Sequence, residues 1–135
     1  RSITNCLSKK KNVYMFGVVD HKLLPFYIKS FDVGIIPYKV NSFTQGISPI
    51  KVFEYLALGR PVVATELKSL KSLSEGNLIK TASSKVDFLR CIKDSLSGNN
   101  VNLVNSRIEF AKANTWEIRV ATIAAILNTR LVNFS

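Results

Sequence analysis

One histidine, one methionine, one tryptophan and two cysteines are all that the 135 residues contain of those types. Cys6 and Cys91 stand far apart, with no Cys-x-x-Cys pair and no neighbouring His/Cys spacing. Neither a disulfide framework nor a metal site is indicated, and two reduced thiols are expected. Long apolar runs are lacking too. Stretches such as 33–37 and 61–64 fall far short of the roughly 20 residues that span a bilayer. The sequence opens on Arg1 rather than methionine and shows no signal-peptide pattern, so a piece of a longer chain is expected. Acidic residues are scarce, 9 against 19 Lys and Arg, for a net charge of +10. Such an excess attracts polyanions of any kind, and nucleoside diphosphates, anionic lipid headgroups and nucleic acid all stay open as partners.

What is present suffices for a core: 47% of the residues are apolar, and the length suits one domain spanning 1–135. Short runs rich in β-branched residues alternate with amphipathic stretches, the signature of an α/β fold with a parallel sheet covered by helices. Strands are predicted at 13–17, 32–37, 61–65 and 77–81. A helix is predicted over 21–31, where Asp20 can cap and Leu23, Leu24, Tyr27, Ile28 and Phe31 recur at helical spacing. The connection 38–45 reads as polar and turn-forming. Ser48-Pro49 then opens a helix that Gly59 closes and Pro61 follows. Ser84 can cap a helix carrying Val86, Leu89, Ile92 and Leu96, another is expected over 103–112, and a long closing helix begins after Thr115. That last helix places Trp116, Val120, Ile123, Leu127 and Leu131 on one stripe. No internal repeat, low-complexity tract or linker divides the chain.

In a parallel α/β sheet, ligands bind outside the carboxyl ends of the strands. The loop after Pro37 is the most suggestive, because Thr44-Gln45-Gly46-Ile47-Ser48-Pro49 leads into a helix N-terminus, whose free N–H groups and dipole favour an anion. Gly46 would let the backbone approach a phosphate closely. Lys51 falls in the first helical turn, where a cation opposes the dipole by typically about 0.3–1 kcal/mol. Glu54 follows on nearly the same face, and Lys before Glu is the weaker order for a helical ion pair. A ligand would reconcile both, with a phosphate at Lys51 and sugar hydroxyls at Glu54. The plain alternative is a snorkelling lysine and a solvated glutamate. His21 reads as a surface helix residue rather than a base, Tyr38 as either a cleft-lining or a packing residue, and Trp116 as an anchor for the last helix.

Two stretches carry a family likeness: Phe31-Asp32-Val33-Gly34-Ile35-Ile36-Pro37-Tyr38, and Ser48-Pro49-Ile50-Lys51-Val52-Phe53-Glu54-Tyr55-Leu56-Ala57-Leu58-Gly59-Arg60-Pro61-Val62-Val63-Ala64-Thr65. They resemble the donor-binding, C-terminal half of GT-B glycosyltransferases, closest to the retaining "group 1" branch. Asn12-Val13-Tyr14-Met15-Phe16-Gly17, Leu24-Pro25 and Trp116-Glu117-Ile118-Arg119 resemble that family as well. The resemblance implies a partial Rossmann-like domain. It implies that Glu54 holds the donor ribose hydroxyls, that Ser48, Pro49 and Ile50 form the helix-start segment whose amides face the diphosphate, and that Lys51 neighbours a phosphate. Val18 and Val19 would border the nucleobase.

Retaining members often carry two glutamates with seven residues between them; here Gly46 stands at the first position. Gln45 or the backbone of the Gly46 loop would then hold the sugar, or the branch positions it differently. The resemblance also begins only at the third strand of the family's domain, so the absent strands would have to be replaced by different pairing or by a strand-swapped oligomer. The activity implied is transfer of a sugar, of hexosyl type, from a UDP- or GDP-linked donor to a saccharide or lipid-linked acceptor. Its setting would be bacterial cell-envelope polysaccharide biosynthesis, in the cytoplasm and at the inner face of the plasma membrane, in peripheral contact with anionic lipid. No cofactor or metal is implied. The catalytic acid/base groups would lie largely outside this chain, which alone would be inactive. Two rival readings are a basic module for nucleic acid or membrane, which Lys9-Lys10-Lys11 favours, and a GT-B-like sugar-nucleotide epimerase.

Overall fold

The computed structural model describes the backbone of residues 3–132 and the side chains of residues 5–129. In chain order the elements are α1 (Ile3–Leu7), α2 (Leu24–Lys29), β1 (Gly34–Ile36), α3 (Ser42–Gln45), α4 (Ile50–Ala57), β2 (Val62–Thr65), a 3-10 turn (Lys68–Leu70), α5 (Lys71–Glu75), β3 (Lys80–Ala82), α6 (Lys85–Ser97), α7 (Val101–Lys112) and α8 (Trp116–Val132). The three strands form one parallel sheet in the order β1-β2-β3. Gly34 lies opposite Val62, Ile36 opposite Ala64, and Thr65 opposite Ala82. This is the expected α/β class, a partial Rossmann-like sheet flanked by helices with a closing C-terminal helix.

The central strand shows why. Val62, Val63 and Ala64 are all buried, as a strand covered on both faces must be. Because successive side chains point to opposite faces, Val62 and Ala64 join Val52 and Leu56 of α4 in one cluster. Val63 turns the other way, to Ala82 and Cys91, with Phe88 and Ile92 of α6 packed against them. Gly34 is required by close approach: a Cβ there would come within 2.5 Å of the Tyr55 ring. At the far end of α4, Gly59 takes φ +68° and reverses the chain. A Cβ on it would meet Val104 Cγ1 at 2.6 Å, so α7 lies tight against the foot of α4. Arg107 of α7 locks that junction, donating to the carbonyls of Leu78 (3.2 Å) and Gly59 (3.3 Å) and to Asn99 Oδ1 (2.7 Å).

Several expectations are corrected. Residues 13–17 form no strand: a strand exists only through a ladder, and among the described residues β1 pairs with β2 alone. Tyr14, Met15 and Phe16 stay exposed, and Phe16 is held instead by an edge-to-face contact with Tyr27, centroids 5.2 Å apart. With that strand gone, the described sheet runs in sequence order, β1-β2-β3. The helix expected over 21–31 shortens to α2, because Asp20 caps a preceding turn, its Oδ1 accepting from Lys22 N at 2.8 Å. The connection 38–45 contains α3, nucleated by a reciprocal cap between Asn41 and Thr44. The site helix starts at Ile50 with Pro49 as its cap residue, two positions beyond Ser48. Asn100 caps α7 ahead of the expected start, through Leu103 N at 3.0 Å. The stripe on α8 is present, but Trp116, Val120, Ile123 and Leu127 are exposed; Leu131 lies outside the described side chains.

Candidate functional site

The chain passes from β1 to α4 through a connector whose polar groups bind one another. Thr44 N donates to Asn41 Oδ1 and Asn41 N to Thr44 Oγ1, both at 2.9 Å, while the Thr44 hydroxyl donates to Lys39 O at 2.8 Å. Farther on, Gln45 Oε1 accepts from Lys68 N at 3.1 Å, and Ser69 Oγ donates to Ile47 O at 2.6 Å. These ties fix the approach to α4. Pro49 offers α4 no side-chain cap, so its first-turn amides meet no capping acceptor from that residue.

Beside that helix start is a cleft of about 450 Å³. Ser48, Ile50 and Glu54 line one wall; His21 is also in the lining, and Trp116 and Arg119 contribute from α8. The Glu54 side chain is 24% exposed, reached from the cleft yet partly sunk in it. Lys51 Nζ lies 2.7 Å from Glu54 Oε2. The two charges thus pair across one helical turn, despite the less favourable order. Of the remaining expected site residues, Pro49 is buried, Gly46 and Val18 are exposed, and Val19 is half-buried. Neither these four nor Lys51 lines the cleft. A Cβ at Gly46 would meet nothing closer than Phe43 O at 3.6 Å, so the backbone there does not demand glycine. Tyr38 borders a separate hollow at the carboxyl ends of the strands, with Thr65 and Phe88.

The second wall was not anticipated from sequence. Trp116 is 66% exposed; rather than anchoring α8 by burial, it faces the cleft. The Arg119 guanidinium lies over the Phe53 ring, 4.6 Å from its centroid, and Phe53 in turn stacks on Phe110 at 6.2 Å. Glu117 opens α8, where its own backbone N–H and then the Thr115 hydroxyl hold its carboxyl below the usual carboxylate range. The available signal was the Trp116-Glu117-Ile118-Arg119 cluster at a helix start. Among the described residues, no three His, Cys, Asp or Glu side chains are grouped to hold a metal ion, and no helix is long and apolar enough to cross a membrane.

The structure thus has a parallel sheet and a cleft at α4, with Glu54 one turn inside it. The sequence model of the family described as glycosyl transferases group 1 matches residues 2–97. The chain belongs to the group 1 glycosyl transferases. No curated protein and no solved structure matches it. The match covers the sheet, α4 and thus Ser48, Ile50 and Glu54, while α7, Trp116 and Arg119 lie beyond it. One wall of the cleft is therefore the family's, and the other belongs to a segment the family model does not reach.

Proposed function

We propose that this group 1 glycosyl transferase chain is the donor-binding, C-terminal half of a GT-B enzyme, and that the cleft at α4 receives the nucleotide of an activated sugar. The observation that carries the reading is the placement of Glu54 in the same cleft as Ser48 and Ile50, inside the family match. A carboxylate accepts two hydroxyls at once, which suits the vicinal diol of a ribose. The first-turn amides of α4 suit the diphosphate, since a helix N-terminus favours negative charge. Lys51, paired to Glu54, fixes the rotamer of that carboxylate. Ordinary UDP- or GDP-linked sugars fit this chemistry, with a saccharide or lipid-linked acceptor completing the transfer.

Catalysis in such a site is positioning plus charge stabilisation. As the glycosyl bond breaks, charge builds on the departing diphosphate, and fixed donors around it stabilise that charge more in the transition state than before. The described residues supply the nucleotide grip; the acid/base groups are assigned to the acceptor half. Contact with an anionic membrane at the cytoplasmic face belongs to the same reading, supported by exposed Lys9, Lys10 and Lys11 beside exposed Tyr14, Met15 and Phe16.

The test is a thermal-shift panel of nucleosides, nucleoside diphosphates and their sugars on the chain and on Glu54→Ala, because a ligand that binds only the folded state raises the melting temperature. At least one nucleoside diphosphate sugar should stabilise the wild type, and Glu54→Ala should lose about tenfold or more in affinity. A flat response across the panel, or an unchanged affinity in Glu54→Ala, overturns the assignment. Salt-steep oligonucleotide binding in its place would favour the basic-module reading.

A further inference from the structure

The donor cleft holds four ionisable side chains: His21, Glu54, Glu117 and Arg119. Both acids have partners of their own, Glu54 in Lys51 and Glu117 in the backbone and Thr115 hydroxyl at the start of α8. Arg119 does not. Among the described residues no carboxylate pairs with it, and its backbone N–H serves only the α8 turn, donating to Thr115 O. A guanidinium carries five N–H donors in a planar fork and cannot lose its charge.

An unpaired surface arginine is ordinarily a mobile one, but this side chain is held. Its guanidinium carbon sits over the Phe53 ring, 4.6 Å from the centroid, and Phe53 is braced by Phe110, so residues of α4, α7 and α8 together set its position. A cation over an aromatic ring makes no conventional hydrogen bond with it, so the guanidinium donors stay available to a ligand. Lys51, by contrast, is outside the lining and committed to Glu54. We infer that Arg119, presented on the Phe53–Phe110 stack, is the cation that binds the diphosphate of the nucleotide in this cleft, with Trp116 beside it closing the same wall. The inference rests on the donor-site reading above and adds to it a residue from outside the family-matched span. It also gives the segment joining α7 to α8 a part in binding: without that turn, the fixed positive charge would be missing from the cleft.

The experiment varies phosphate count. Dissociation constants are measured by calorimetry for a nucleoside, its monophosphate and its diphosphate, using the base that stabilises best in the panel, with wild type, Arg119→Gln and Arg119→Lys. Arg119→Gln should weaken the diphosphate on the order of tenfold and leave the nucleoside unchanged. Arg119→Lys should recover part of the loss, because charge survives while the fork does not. The diphosphate affinity of the wild type should also fall more steeply with salt than that of Arg119→Gln. Equal losses for nucleoside and diphosphate would reduce Arg119 to a packing residue, and an unchanged diphosphate affinity would remove it from the site; either result overturns the inference. If Glu54→Ala loses the diphosphate while Arg119→Gln keeps it, this inference fails and the donor-site reading stands. Failure of the wild type to bind any of the three ligands takes down both.

Discussion

Helices α4 and α8 enter the structure with similar credentials and meet opposite fates. Each carries an apolar stripe at helical spacing. In α4 the stripe is consumed: Val52 and Leu56 are 0% exposed, between the sheet and α7. In α8, Val120 is 61% exposed, Ile123 58% and Leu127 55%. Periodicity names the face a helix wants to bury; only a neighbour decides whether it does. The functional consequence is that the helix carrying Glu54 is a fixed part, whereas α8 is fastened chiefly at its first turns, where Arg119 meets Phe53.

The sharpest way to break this contrast is to truncate one residue from each stripe. Leu56→Ala should cost about 2–5 kcal/mol in chemical denaturation, and Ile123→Ala about 0.5 kcal/mol or less. Equal costs would mean that α8 is buried in solution. A smaller effect is expected where α4 acquires the neighbour that α8 lacks. Arg107→Leu leaves three oxygen acceptors at the foot of α4 without their donor and should destabilise by about 2–3 kcal/mol, read in the same denaturation experiment. A negligible change would show that close packing at Gly59 alone holds the junction.

The smallest effect should lie in α8 and should be pH-dependent. The Glu117 pKa is lowered from its ordinary 4.5 in the folded chain. The stabilisation it gives is therefore fully present above that value and is lost as pH falls through the lower, folded value. Acidification should loosen the first turn of α8 before the sheet responds, and Glu117→Gln should abolish that early step. Hydrogen exchange at Arg119 and Val120 amides, followed from neutral pH to below about 4.5, reads it. An acid-sensitive first turn that persists in Glu117→Gln would assign the effect to another group.

Much of this architecture was legible in the residues. Three of the four predicted strands are present at Gly34-Ile35-Ile36, Val62-Val63-Ala64-Thr65 and Lys80-Thr81-Ala82, and the short β-branched runs in or beside them carried the signal. Ser84 caps α6 as read, accepting from Asp87 N at 3.1 Å. The segment Val13-Tyr14-Met15-Phe16 has strand composition, but composition cannot supply a pairing edge. Helices α3 and α5 are single turns with little periodicity to read. On the site, Ser48, Ile50 and Glu54 were visible together because they lie within one short stretch. Arg119 and Trp116 were not, since only the crossing of α7 over α4 carries residues so distant in sequence to the opposite wall. The Lys51–Glu54 contact was not read as a pair because its order is the weaker one for a helical ion pair, and a weaker order does not prevent the pairing.

One consequence follows from the reciprocal cap at Asn41 and Thr44 and from the two ties that Lys68 and Ser69 make to the connector. The stretch leading into α4 is held by its own bonds before any guest arrives. Loop ordering is among the entropic penalties that association ordinarily incurs, and here folding has already met it. A nucleotide settling at α4 would find the threshold of its berth already shaped, and more of its attraction would remain to tell one guest from another.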